Sequence, residues 1–92
     1  MKRARAKAGR HVILGVHITD RVRHADEVQR VFTAHGARIR MRLGLHDVVG
    51  GRSSPNGLIL LEMAGPDAGI DAMMAALRRV RGVQVRRMVF EH

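Results

Sequence analysis

Residues 38–46 read Arg38-Ile39-Arg40-Met41-Arg42-Leu43-Gly44-Leu45-His46, an apolar side chain at every second position. A period of two belongs to a strand with one buried and one wet face; on a helix, Ile39 and Met41 would stand on nearly opposite sides. The stretch therefore predicts a strand whose row Ile39, Met41, Leu43, Leu45 is covered by the rest of the chain. His11 to Thr19 alternates in the same way, Val12, Leu14, Val16 and Ile18 against Ile13, Gly15 and His17, and predicts another strand ahead of it.

Helical spacing separates the two. Thr19-Asp20 offers an N-cap, Ala25, Val28, Val31, Phe32 and His35 form one stripe, and Asp26 pairs with Arg30 four residues on. Gly36 fits the left-handed residue that ends such a helix. Val49 to Gly57, rich in Gly, Ser, Pro and Asn, predicts the turn of a long hairpin. Leu58-Ile59-Leu60-Leu61-Glu62-Met63 is continuous enough in apolar residues for a central strand. Gly65-Pro66-Asp67 opens a second helix with the stripe Ile70, Met73, Met74, Leu77, Val80, arginines 78, 79 and 81 at its negative end, and Gly82 as its stop. Val83, Val85, Met88 and Phe90 predict a last strand, their change of phase at Arg86-Arg87 marking a bulge.

The order βαββαβ, with both crossovers right-handed, predicts an α+β ferredoxin-like sandwich: a four-stranded antiparallel sheet with two helices on one face. At 92 residues this is one domain, spanning 11–92. Helices on one side leave the other face of the sheet uncovered. The expectation there is Ile13, Gly15 and His17 from the first strand, Leu58 and Leu60 from the third, and Arg40 and Arg42 between sheet and edge. An apolar strip on so small a domain marks an interface, so a homodimer or tetramer is expected.

Residues 1–10 form a basic arm, expected to be disordered: Lys2, Arg3, Arg5, Lys7 and Arg10 precede the first acid, Asp20, and contribute over half of the net charge of +9. Such an arm binds polyanions by counterion release, without sequence preference. Aromatic residues for base stacking are missing, since Phe32 and Phe90 are the only two and Phe32 belongs to the helix-side core. With no Cys there is no thiol nucleophile or Cys-ligated metal. Ser53 and Ser54 lie in the hairpin, a poor place for a preorganised nucleophile, and no enzyme activity or cofactor is expected. His17 and His46 are expected close together on the open face, but two histidines do not make a metal site. No signal peptide or membrane span is visible, so a soluble cytoplasmic protein is expected.

From His11 to Phe90 the chain resembles the small regulators called iron-only hydrogenase system regulators, grouped with ACT-like domains and with the effector domain of nickel-responsive repressors. The resemblance is carried by Ile18-Thr19-Asp20-Arg21, Arg42-Leu43-Gly44-Leu45, Gly57-Leu58-Ile59-Leu60, and Leu77 through Gly82-Val83-Gln84-Val85-Arg86. It implies a ferredoxin-like fold, homo-oligomers and a regulatory role, in transcription among others. Nickel repressors place several His and a Cys in their sensor site, where only His46 corresponds here. They also carry a ribbon-helix-helix DNA-binding domain, for which ten residues ahead of His11 are too few. Amino-acid-binding ACT domains have a Gly in the turn where this chain has Asp20-Arg21-Val22-Arg23.

The expected function is that of a regulatory or sensory module taking a small effector at a subunit boundary. Asp20 and Arg21 would supply polar recognition, with Gly44 and His46 beside them. A nucleic-acid-binding protein, using the arm and the strand arginines 38, 40 and 42, is the alternative. A nickel or zinc sensor is a third.

Overall fold

The computed structural model describes residues 9–45, 48–49, 52–53 and 56–92. Its elements are β1 (Arg10–Ile18), α1 (Arg21–Ala34), β2 (Ile39–Leu45), β3 (Val48–Val49), β4 (Arg52–Ser53), β5 (Gly57–Met63), α2 (Asp67–Arg78) and β6 (Val83–Glu91). The main sheet runs β2-β5-β1-β6, all neighbours antiparallel, while β3 and β4 pair as a small ribbon between β2 and β5. This is the expected ferredoxin-like α+β arrangement. β1 begins at Arg10, one residue before the expected domain start; the other basic residues of the arm, Lys2, Arg3, Arg5 and Lys7, lie outside the described residues, as does His46.

The core forms where alternation in β1 meets the two helix stripes. Val12, Leu14, Val16 and Ile18 are buried, opposite Leu61, Met63 and Val85 from neighbouring strands and under Val28 and Phe32 of α1 and Ile70, Met73, Met74 and Leu77 of α2. Each fully buried side chain of this size stabilises by roughly 1.5–3 kcal/mol. Thr19 N–H donates to the Gly82 carbonyl at 2.8 Å, tying the start of α1 to the turn before β6. Gly82 has φ +83°, the left-handed value expected of a helix stop. Gly36 does not: α1 passes through His35 into a short 3-10 turn, Gly36–Arg38.

Two strands differ in phase from the sequence expectation. β6 pairs with β1 without interruption, Val83 against Ile18 through Glu91 against Arg10, so there is no bulge at Arg86-Arg87. The change of phase has another cause: Val83 and Val85 face the helices, whereas Met88 and Phe90 face the opposite side. The bulge lies in β2, between Ile39 and Met41. Ile39 pairs with Met63 beneath the helices; one residue later the faces exchange, Met41 pairs with Glu62, and Leu43 with Leu60. Met41 and Leu43, expected in the core, are instead more than half exposed on the open face. Arg42 is turned the other way, its guanidinium 4.9 Å from the centroid of the Phe32 ring.

Leu61→Ala, at a site with no exposure, is expected to lower the unfolding free energy by about 2–5 kcal/mol in urea denaturation. Gly82→Ala should cost about 1–2 kcal/mol in the same measurement, because the positive φ is retained and the added Cβ would lie 2.9 Å from His24 Cδ2 and 3.2 Å from the Thr19 carbonyl oxygen.

Candidate functional site

The first strand–helix turn is held open by its backbone rather than by a capping side chain. Asp20 takes the expected N-cap position, at φ 54° and ψ 65°, but its carboxylate makes no capping hydrogen bond. Its N–H donates to Asn56 Oδ1 at 3.0 Å, and its carbonyl accepts from the N–H groups of Arg23 and His24. The turn is thereby fastened to the residue just before β5.

That fastening sets Arg21 over the sheet. The Arg21 stem lies against Gly57, where an added Cβ would be 3.6 Å from Arg21 Cδ. Arg21, Ala25 and Gln29, spaced four apart on one face of α1, form the wall of a cleft of about 250 Å³. Ile18, Gly57, Leu58, Ile59, Gly44 and Arg42 complete it. Arg42 Nη1 donates to Gln29 Oε1 at 3.2 Å, which fixes the guanidinium at the cleft wall. Gly44 is paired with Ile59, on the helix side, and a Cβ there would meet nothing within 4 Å. Its missing side chain leaves the space that the cleft occupies.

Of the four expected ligand residues, Arg21 and Gly44 therefore share one cleft. Asp20 shapes the turn but is not among the lining residues, and His46 lies outside those described. Arg42, expected on the open face, lines the cleft instead; Gln29 was not anticipated, although its spacing of eight from Arg21 was available in the sequence. With two guanidinium groups, a side-chain amide, an apolar floor and no carboxylate among its described lining residues, the cleft is suited to a small anion.

On the open face, rows of paired residues run across the sheet: Leu58, His17 and Gln84; Leu43, Leu60, Gly15 and Arg86; Met41, Glu62, Ile13 and Met88. Phe90 stands beyond them beside His11. Met41, Leu43, Met88 and Phe90 are each more than half exposed, and Leu58 is over a third exposed. Leu58 also lines the cleft, so cleft and open face are contiguous. His17 Nδ1 is buried in this face without a hydrogen-bond partner. Arg40 sits exposed at the β2 bulge, where its charge acts on Glu62. Among the described residues no three His, Asp or Glu side chains are grouped to hold a metal ion, and no helix is long and apolar enough to cross a membrane.

No family model matches the chain, and no curated protein matches it. Solved structures do. An uncharacterized protein from Thermotoga maritima is similar with a TM-score of 0.75 and 21% identity, over 88% of this chain and 96% of that one. CPII, a nitrogen regulatory PII-like protein from Thiomonas intermedia bound to ADP, AMP and bicarbonate, gives a TM-score of 0.55 and 10% identity, over 90% and 94%. A dimeric ferredoxin-like protein from an uncultured marine organism gives 0.50 and 10%, over 90% and 94%. At such identities the likeness shows the fold. It is ferredoxin-like.

One ionic contact marks the open face. His11 Nδ1–H donates to Glu62 Oε2 at 2.6 Å. That hydrogen bond holds the Glu62 carboxyl below the usual carboxylate range, against partial desolvation and with help from the charges of His11 and Arg40. A carboxyl whose pKa is lower folded than unfolded stabilises above its unfolded pKa, and the contribution is lost as pH falls through the folded one. A carbon-detected NMR titration is expected to place the Glu62 midpoint below that of an unfolded Glu, and His11→Ala to move it upward.

Proposed function

We propose that this protein is a self-associating regulatory module that binds a small anionic effector in the cleft between α1, β2 and β5, at the border of a subunit interface. The observation that carries the reading is the continuous apolar surface on the open side of the sheet, joined to the cleft through Leu58. A strip of this kind on one face of a small domain is costly in water and is relieved by a second copy. The two-fold repetition of the face would place a cleft from each subunit along one boundary. His17 Nδ1, without a partner within the chain, would then have a partner available across it.

Two of the structural neighbours lend support: one is a nitrogen regulatory PII-like protein and another a dimeric ferredoxin-like protein. The resemblance to hydrogenase system regulators agrees with a regulatory role. The reading is of a binding module rather than an enzyme. Of the three arginines expected to serve nucleic-acid binding, Arg42 packs on Phe32 and Gln29, and Arg38, which lies in the 3-10 turn ahead of β2, sets its guanidinium on Gly65 and Gly69 near the start of α2. Two of the three are thus engaged within the chain, which favours the effector reading.

Native mass spectrometry of the full chain, purified without chelator, is expected to show a dimer or tetramer retaining one small anion per chain. Leu60→Lys should give monomers with an unchanged circular dichroism spectrum. Gly44→Leu, whose Cβ would meet nothing within 4 Å and whose side chain would extend into the cleft, should leave the assembly intact and abolish the retained mass. A wild-type monomer across micromolar to millimolar concentrations would remove the basis for the interface, and retention undiminished in Gly44→Leu would remove the cleft.

A further inference from the structure

A second recess lies on the other side of the molecule, where α2 meets β6. Asp71, Met74 and Arg78 are spaced three and four apart and form one face of α2. Opposite them runs Val83 to Arg87 of the edge strand. The space between is about 590 Å³, within the ~300–1,000 Å³ range of small-molecule sites. Its floor is apolar, from Met74, Val83 and Val85, and its rim is cationic.

Arg86 and Arg87 are consecutive in a strand, so they point to opposite faces of the sheet and straddle its edge. Each is held in place. Arg87 pairs with Asp71, and Arg86 donates to the Val85 carbonyl at 3.3 Å and to Gln84 Oε1 at 3.2 Å. Arg78, in the last turn of α2, makes no ion pair among the described residues. Arg78 and Arg87 thus bring two guanidinium groups to the recess against the single carboxylate of Asp71, while Arg86, paired with Gly15 and bonded to Gln84, is turned to the open face. Arginines at a helix end or along a sheet edge serve the helix dipole or discourage strand pairing. Neither role requires an apolar floor between them.

We propose that the α2–β6 recess is a separate binding site for a small phosphate ester, its phosphoryl oxygens held by Arg78 and Arg87 and its organic part lying on Val83. Guanidinium forks match phosphoryl oxygens in pairs of parallel hydrogen bonds, and a diphosphate carries enough charge to engage both. The site is independent of the α1–β2–β5 cleft and does not require self-association.

The test is isothermal titration of the full chain with inorganic pyrophosphate and with ADP, which carries the same two phosphoryl groups on an organic body. Both are expected to bind once per chain, ADP the more tightly. The Arg78→Gln/Arg87→Gln double variant should weaken both by at least about tenfold. The Arg79→Gln/Arg81→Gln variant removes the same charge from the same end of α2 but outside the recess, and should change them less than about threefold. Circular dichroism checks that both variants fold. Absence of pyrophosphate binding, equal losses in the two double variants, or ADP binding no tighter than pyrophosphate would overturn the proposal. Preference for a DNA duplex, with a salt slope reduced equally by both variants, would overturn it in favour of a diffuse polyanion surface.

Discussion

The register of β1 with its two neighbours, seven pairs with β5 and nine with β6, organises this molecule. β1 is central, pairing with β5 on one side and β6 on the other. Because side chains alternate along a strand and paired residues share a face, Val12, Leu14, Val16 and Ile18 assign a face to every residue across the sheet. Whatever pairs with them lies beneath α1 and α2; whatever pairs with Ile13, Gly15 and His17 lies on the side that no helix covers. Among the described residues the two α-helices both lie on one side. The core and the exposed apolar face are therefore two results of one pairing pattern.

The recesses follow from the same geometry at its margins. α1 reaches the sheet over β2 and β5, and a glycine at position 44 leaves space between helix and strand that a longer side chain would fill. α2 stands beside β6, whose outer edge has no neighbouring strand among the described residues. In each place arginines stand beside apolar side chains; Asp67 pairs with Arg10 and Glu62 with His11 away from both, and Asp71 pairs with Arg87 inside the second.

Much of this was legible from local pattern. The stripes Val28–Phe32 and Ile70–Leu77, the stop at Gly82, and the alternation of β1 all point in the sequence to the positions they hold in the structure, since each depends on neighbours within a turn or two. Arg21 and Gly44 were readable as neighbours because βαββαβ brings the β1–α1 turn beside β2. The facing of β2 was not. A period of two says that a strand has two faces and is silent on which one meets the core, and a single extra residue between Ile39 and Met41 exchanges them. Met88 and Phe90 carried the same ambiguity: their shifted phase fits a bulge or a strand with both faces apolar, and only pairing with β1 distinguishes the two.

The amino-acid order by itself determined the elements, their succession and the βαββαβ topology, because periodicity, glycine stops and turn chemistry act over short stretches of chain. Tertiary structure alone decided which side of β2 and β6 is wet, that Arg42 belongs to a cleft and not to the open face, and that Arg87 of β6 meets Asp71 of α2. Those facts depend on register between strands distant in sequence, and a shift of one residue, invisible to any local pattern, would reverse them.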